Sequence, residues 1–330
     1  MLILHIGTHK TGTSAIQSFL AFRAEQLRGH GIHYLKVGRD DTAGNHQLPW
    51  SIRGKHGAPL SVWEDARAEL ARTDAVRAVI SSEAFWFTEP SAVKDQLGDA
   101  GDLRIVIYLR RQDRYLQSLY KQSVFGGRRM DFAEWLESYR FRGDYLSVVR
   151  RWEAAFGKDA LHIRPYERSG QTIDSVSDFM TLLGLDVNKE FPRRQMKLRN
   201  PSPRRELLVL MRAVNQIKAD IDREQVFRSV MERNSEYVRS ADLLNYDGCT
   251  ALLESFIEDN RTLVREYYRG GEPLFPELAH FELPEIWSQE SRSYFELTVD
   301  LLDALATQAA PRQAGPSKKA RNKRADGAEL

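Results

Sequence analysis

The chain opens Leu2-Ile3-Leu4-His5-Ile6-Gly7-Thr8-His9-Lys10-Thr11-Gly12-Thr13-Ser14, and Ala15-Ile16-Gln17-Ser18-Phe19-Leu20 follows. An apolar run of this kind suits a buried strand, and Ile16, Phe19 and Leu20 recur at helical spacing. Between them lies a loop of small residues bounded by Gly7 and Gly12. A strand, a glycine-bounded loop and a helix in that order form a cradle for an anion. The loop's N–H groups and the helix N-terminus converge there and supply partial positive charge.

The two glycines have the spacing of a Walker A loop, but Thr13 stands where a nucleotide triphosphatase carries its lysine. The lysine of this loop is Lys10, displaced towards the strand. That displacement argues against a kinase that needs Mg²⁺ and a lysine beside the β- and γ-phosphates.

Further along, strands are expected at 32–35, 75–82, 103–109 and 161–164, with helices at 61–72 and from about 113. The stretch 36–59 has no periodic pattern and reads as a long functional loop containing a short helix. Strands and helices alternating at this spacing predict an α/β fold, a parallel sheet with helices on both faces. Ligands of such sheets bind beyond the C-terminal strand ends. From residue 175 the pattern becomes helical, with apolar stripes at 176–183, 207–217, 252–267 and 293–305. The expected organisation is one domain over 1–310, with an α/β core at 1–200 and a helical part at 201–310.

Composition narrows the function classes. The 330 residues are 42% hydrophobic and 28% charged, with a net charge of +2, which gives no general reason to bind nucleic acid. Residues 311–330 hold six basic and two acidic residues. Removing these from the totals of 48 and 46 leaves 42 and 44, so the remainder is close to neutral. The tail is expected to be disordered, with at most weak peripheral contact to an anionic membrane surface. The single cysteine, Cys249, excludes an internal disulfide and fits a reducing compartment. Neither a leader peptide nor a membrane span is expected, so the reading is a cytoplasmic protein.

A second basic element follows the strand at 103–109. Arg110 leaves its end, and Ser118 lies eight residues later on the ensuing helix. Together with Lys10-Thr11-Gly12-Thr13-Ser14, this pair resembles the sulfotransferases that use 3′-phosphoadenosine 5′-phosphosulfate (PAPS). The resemblance spans about the first 200 residues. It implies that Lys10, Thr11, Gly12, Thr13 and Ser14 bind the 5′-phosphosulfate, that Arg110 and Ser118 bind the 3′-phosphate, and that no metal is required. A guanidinium suits the 3′-phosphate because its rigid donors match phosphate geometry.

The resemblance also supplies a base. Glu83, in Ile80-Ser81-Ser82-Glu83-Ala84-Phe85, looks like the catalytic glutamate of the carbohydrate-modifying branch. Burial beside Phe85 and Trp86 is expected to raise its pKa. His46, in the loop 36–59, is the competing base or an acceptor-binding residue. A saccharide or glycolipid hydroxyl is the implied acceptor, from Glu83 and the loop around His46 and Trp50. Tyr166 resembles a family tyrosine beside the adenine. The segment 194–205 occupies the place of a late cofactor loop, with Asn200, Lys197, Arg199 and Ser202 as candidates. Ala15 departs from the aromatic residue of the cytosolic branch. Two other readings stay open: a P-loop small-molecule kinase using ATP and Mg²⁺, and a non-catalytic nucleotide or glycan binder.

Overall fold

The computed structural model describes residues 1–168, 171–191, 203, 205–216, 222–233, 242–282, 298, 301–302 and 305. Most of the predicted segment 194–205, most of the stripe at 293–305 and the tail 311–330 lie outside them.

Five strands form one parallel sheet: β1 (Leu2–His5), β2 (Ile32–Tyr34), β3 (Arg77–Ser81), β4 (Leu103–Leu109) and β5 (Leu161–Pro165). Their order is β2-β3-β1-β4-β5. The connection after β1 runs towards the β2 side and the one after β4 towards the β5 side. The crevice beyond the C-terminal ends of β1 and β4 is therefore the point where the winding reverses, the usual ligand position in open parallel sheets. In register, His5 of β1 lies between Ser81 of β3 and Val106 of β4.

Alternation along the strands explains the layers. Ile3, Ile32, Tyr34, Val79, Val106 and Tyr108 share one face. Four helices cover it: α1 (Thr13–Phe22), α2 (Ala24–Gly29), and later in the chain Ser175–Leu182 and Val187–Glu190. Arg23 is the break between α1 and α2. His33 alternates with Ile32 and Tyr34 and so points from the opposite face. There its Nε2 lies 2.7 Å from Oε1 of Glu69. Glu69 belongs to α4 (Val62–Arg72), which follows α3 (Gln47–Ile52), the short helix expected within the loop 36–59.

The connection between β3 and β4 holds a 3-10 turn (Glu83–Phe87) and α5 (Pro90–Leu97). After β4 come α6 (Gln112–Phe125), α7 (Phe132–Tyr139) and α8 (Tyr145–Phe156). A two-stranded hairpin absent from the sequence expectation, β6 (Glu167–Arg168) with β7 (Gln171–Thr172), precedes the helices 175–182 and 187–190, here α9 and α10. The C-terminal half is helical: α11 (Arg205–Gln216), α12 (Arg223–Arg233), α13 (Tyr246–Glu254) and α14 (Ile257–Tyr267). The stripe at 252–267 is divided between α13 and α14 by the break at residues 255–256.

The chain forms two compact units. The described residues within 1–111, 143–195 and 254–277 form one; those within 112–142, 196–253 and 278–330 form the other. In the first, α8 packs on α5 and α14 beside the sheet. In the second, α6 is the central helix, packed by α7, α11 and α12. Asn215 of α11 ties down the end of α6, donating to the carbonyls of Val124 (2.8 Å) and Arg128 (2.9 Å). Among the described residues no helix is long and apolar enough to cross a membrane.

Candidate active site

The loop after β1 stays paired with β4 beyond the strand's end. Thr8 N donates to Tyr108 O at 2.9 Å, and Tyr108 N donates to Gly7 O at 2.6 Å. Thr11 is fully buried, and its hydroxyl donates to Thr8 O at 2.6 Å, so this side chain braces the loop. Gly12 ends it in the left-handed region (φ 79°). A Cβ there would stand 2.2 Å from Ser175 Oγ and 3.3 Å from the Tyr166 ring, a space only glycine leaves open.

Gly12 is the N-cap of α1 and offers no side-chain cap, and the first turn holds no acidic residue. The N–H groups of Thr13 and Ser14 therefore end the helix without an intrahelical acceptor. Thr13 is buried and Ser14 exposed.

Lys10, at the middle of the loop, is also left-handed (φ 61°). Burial is the main influence on its ammonium group; Glu83 opposes that influence, Arg110 adds to it, and the pKa falls to about 8. No hydrogen bond or ion pair from Lys10 is found among the described residues. A half-buried cation at an uncapped helix N-terminus is a donor set that fits an anion such as a phosphosulfate.

Arg110 follows β4, the strand beside β1. Its Nε donates to Oε1 of Glu167 at 3.0 Å, and its guanidinium carbon lies 5.6 Å from the centroid of the Tyr166 ring. Glu167 is only 1% exposed, so the pair fixes the arginine from below. The terminal nitrogens of Arg110 have no partner among the described residues, and they are the two donors a phosphate would use. Tyr166 is thus packed between Arg110 and the Gly12 turn; burial, partly offset by Arg110, raises its pKa.

Glu83 leaves the C-terminal end of β3, on the other flank of β1. Ser82 caps the turn that carries it, accepting from Ala84 N at 3.2 Å. Burial pushes the Glu83 carboxyl up. The charges of His9 and His46, the Gln17 hydrogen bond and its own backbone N–H outweigh that push, and the pKa is lowered. The expected rise is therefore corrected: the apolar neighbours Phe85 and Trp86 are present, but donors and imidazoles on the polar side decide the sign.

His46 reaches Glu83 because Asn45 is stitched to the end of β3. Asn45 N donates to Ser81 O (2.8 Å), and Ser81 N donates to Asn45 Oδ1 (3.0 Å). The His46 ring packs on Trp50, with centroids 5.3 Å apart, and a Cβ on Gly44 would meet its Nε2 at 2.4 Å. Nδ1 lies 2.5 Å from Ser82 Oγ, and Nε2 lies 3.9 Å from Glu83 Oε2. Placing the proton on Nε2 turns a hydrogen towards the carboxylate and lets Nδ1 accept from Ser82. The opposite tautomer would aim a lone pair at an anion.

Lys10, Glu83, His46, Arg110 and Tyr166 are thus gathered at adjoining strand ends of the first unit. Ser118 belongs to the second unit, half-buried on α6. Asn200 lies outside the described residues, as do Lys197, Arg199 and Ser202.

Three participants escape the sequence reading. Gln17 of α1 is fully buried and donates to Glu83 Oε2 at 2.9 Å. Ser81 lies 2.8 Å from His5 Nδ1, and Ser175 seals the Gly12 turn. A glutamine inside the apolar stripe Ile16–Leu20 was the available signal. A cleft of about 340 Å³ beside β5 offers no competing centre, because its Arg164 and Arg168 are already paired with Asp178.

No family model matches the chain. A stretch of 173 residues, 50% of this chain, is 31% identical to an uncharacterized protein of Archaeoglobus fulgidus. The match spans 46% of that protein, so the chain accounts for less than half of that relative's length, and the similarity carries no activity with it.

Proposed function

We propose that the protein is a sulfotransferase that moves a sulfuryl group from PAPS to the hydroxyl of a saccharide or glycolipid. The observation that carries this reading is the pairing of Lys10 and Arg110. These two cations follow adjacent strands at the winding reversal, each has donors to spare, and Arg110 is near enough to help lower the pKa of Lys10.

PAPS supplies a sulfuryl group already activated as a mixed anhydride, so the chain's residues need only bind, align, stabilise charge and move one proton. Lys10, the N–H groups of Thr13 and Ser14, and the loop backbone hold the 5′-phosphosulfate end. Arg110 takes the 3′-phosphate through its terminal nitrogens, and Tyr166 lies beside it for the adenosine. For Ser118 and Asn200 a part in cofactor binding rests on the resemblance alone. Lys10 stabilises the negative charge left on the departing phosphate. Glu83 accepts the acceptor's proton. Its lowered pKa keeps it ionised at neutral pH but makes it a weak base, so correct aim of the carboxylate has to supply much of its effect. With Nε2 carrying the hydrogen that faces Glu83 and the Nδ1 lone pair taken up by Ser82, His46 has no lone pair free for that proton, which favours Glu83 as base and His46 as its partner. A single cysteine supports a reducing, cytoplasmic setting.

Calorimetry with 3′-phosphoadenosine 5′-phosphate, ATP and ADP tests the proposal. Tight, magnesium-independent binding of the bisphosphate is expected. Magnesium-dependent preference for ATP would transfer the chain to the kinase class.

A further inference from the structure

Side chains of other residues hold Glu83 by one oxygen only. Oε2 accepts from Gln17 Nε2 at 2.9 Å and lies 3.9 Å from His46 Nε2, while no hydrogen bond from another residue reaches Oε1 among the described residues. The orientation of the Gln17 amide is decided by its neighbours, because the alternative would turn Oε1 of Gln17 towards a carboxylate. The same Nε2 lies 3.4 Å from Ser81 Oγ. That hydroxyl also lies 2.8 Å from His5 Nδ1, and burial keeps His5 neutral, with a pKa of about 4. Gln17 Oε1 is buried without a hydrogen-bond partner. A fully buried amide left half satisfied is costly, and a longer apolar side chain would pack the same stripe without that cost. Gln17 also sits one turn beyond Thr13 and Ser14, on the helix whose N-terminus faces the anion site.

We propose that Gln17 is the positioning residue that aims the Glu83 carboxylate, fixing Oε2 and leaving Oε1 to receive the acceptor's proton, and that it links this aim to the phosphate-binding helix. The inference rests on the sulfotransferase reading for its catalytic consequence, but the Gln17–Glu83 bond is testable without it. The other groups that bear on the carboxylate are His5 of β1, His9 and Lys10 of the loop, Tyr34 of β2 and His46 before α3. All of them remain when Gln17 is changed.

The test is a carboxyl-carbon NMR titration of the full chain, with the Glu83 signal assigned by its loss in Glu83→Gln. Gln17→Met removes the donor at similar volume, and Gln17→Glu keeps the shape while adding a second carboxyl. The Glu83 midpoint is expected to rise by about one pH unit in Gln17→Met and further in Gln17→Glu. With PAPS and an acceptor, kcat should fall about tenfold or more while affinity for 3′-phosphoadenosine 5′-phosphate changes less than about twofold. An unchanged Glu83 midpoint in either folded variant overturns the proposal, as does a loss of nucleotide affinity equal to the loss of kcat. If the wild-type chain fails to bind the bisphosphate, the sulfotransferase reading falls, and the titration still decides the role of Gln17.

Discussion

A Cβ on Gly7 would stand 3.0 Å from the Cβ of Glu83 and 3.2 Å from its Cα. The backbone of the Gly7–Gly12 loop and the carboxylate-bearing turn therefore touch directly, and the φ of +102° at Gly7 is itself one that L side chains avoid. Gly7→Ala should lower stability by about 1–3 kcal/mol through backbone strain and push Glu83 outward. A thermal melt reads the first effect, and the Glu83 NMR signal reads the second. A variant with an unshifted melt and an unperturbed Glu83 would show that the contact relaxes freely.

The sheet was legible because the buried strands are written as near-continuous apolar runs, such as Ile105-Val106-Ile107-Tyr108-Leu109. The Lys10 loop and Arg110 were legible because each interrupts such a run at its end. Gln17 and Ser81 were hidden, since their roles depend on which face of a helix or strand meets which neighbour across the sheet. Register between β1 and β3, not local spacing, puts His5 opposite Ser81. The sign of the Glu83 shift was hidden for a related reason. Its apolar neighbours are adjacent in sequence, whereas Gln17, His9 and His46 arrive from other segments.

Lys10 should make anion binding pH-dependent. Its pKa of about 8 in the folded chain lies below the ordinary lysine value of 10.5, so the unfolded chain binds more protons between those limits. Stability of the ligand-free protein should accordingly rise as pH increases from about 8 towards 10.5, with other groups held equal. A bound phosphate favours the charged amine, so bisphosphate affinity should fall over the same interval with proton uptake on binding. Calorimetry in buffers of different ionisation enthalpy checks both signs. Lys10→Arg should abolish the fall, and Lys10→Ala should cost about 10²-fold in turnover while affecting affinity less.

Arg110 has two separable jobs. Its Nε bond to the buried Glu167 is structural, whereas its terminal nitrogens are the proposed phosphate donors. Arg110→Ala should destabilise the fold, because it removes a cation bonded to a buried carboxylate. It should also reduce the preference for 3′-phosphoadenosine 5′-phosphate over AMP. Adding Glu167→Gln should recover much of the stability and none of the preference. Recovery of both would make Arg110 a fold element only.

Glu83 and His46 can be distinguished by substitution and by pH. Because the Glu83 pKa is lowered below the ordinary 4.5, its carboxylate persists as pH falls from neutrality. The stability this ionised form contributes is present above 4.5 and is lost only as pH drops through the folded value. The acid limb of kcat should likewise lie below the ordinary carboxylate value of 4.5. Glu83→Gln should leave bisphosphate affinity within about twofold and abolish transfer. His46→Gln should retain measurable turnover and move the acid limb upward, since the imidazole that opposes protonation of Glu83 is gone. Gly44→Ala, whose Cβ would drive into the His46 ring, should reproduce that shift in milder form. If Glu83→Gln turns over normally while His46→Gln is dead, the proton goes to His46, and the tautomer assigned from the Ser82 contact is reversed.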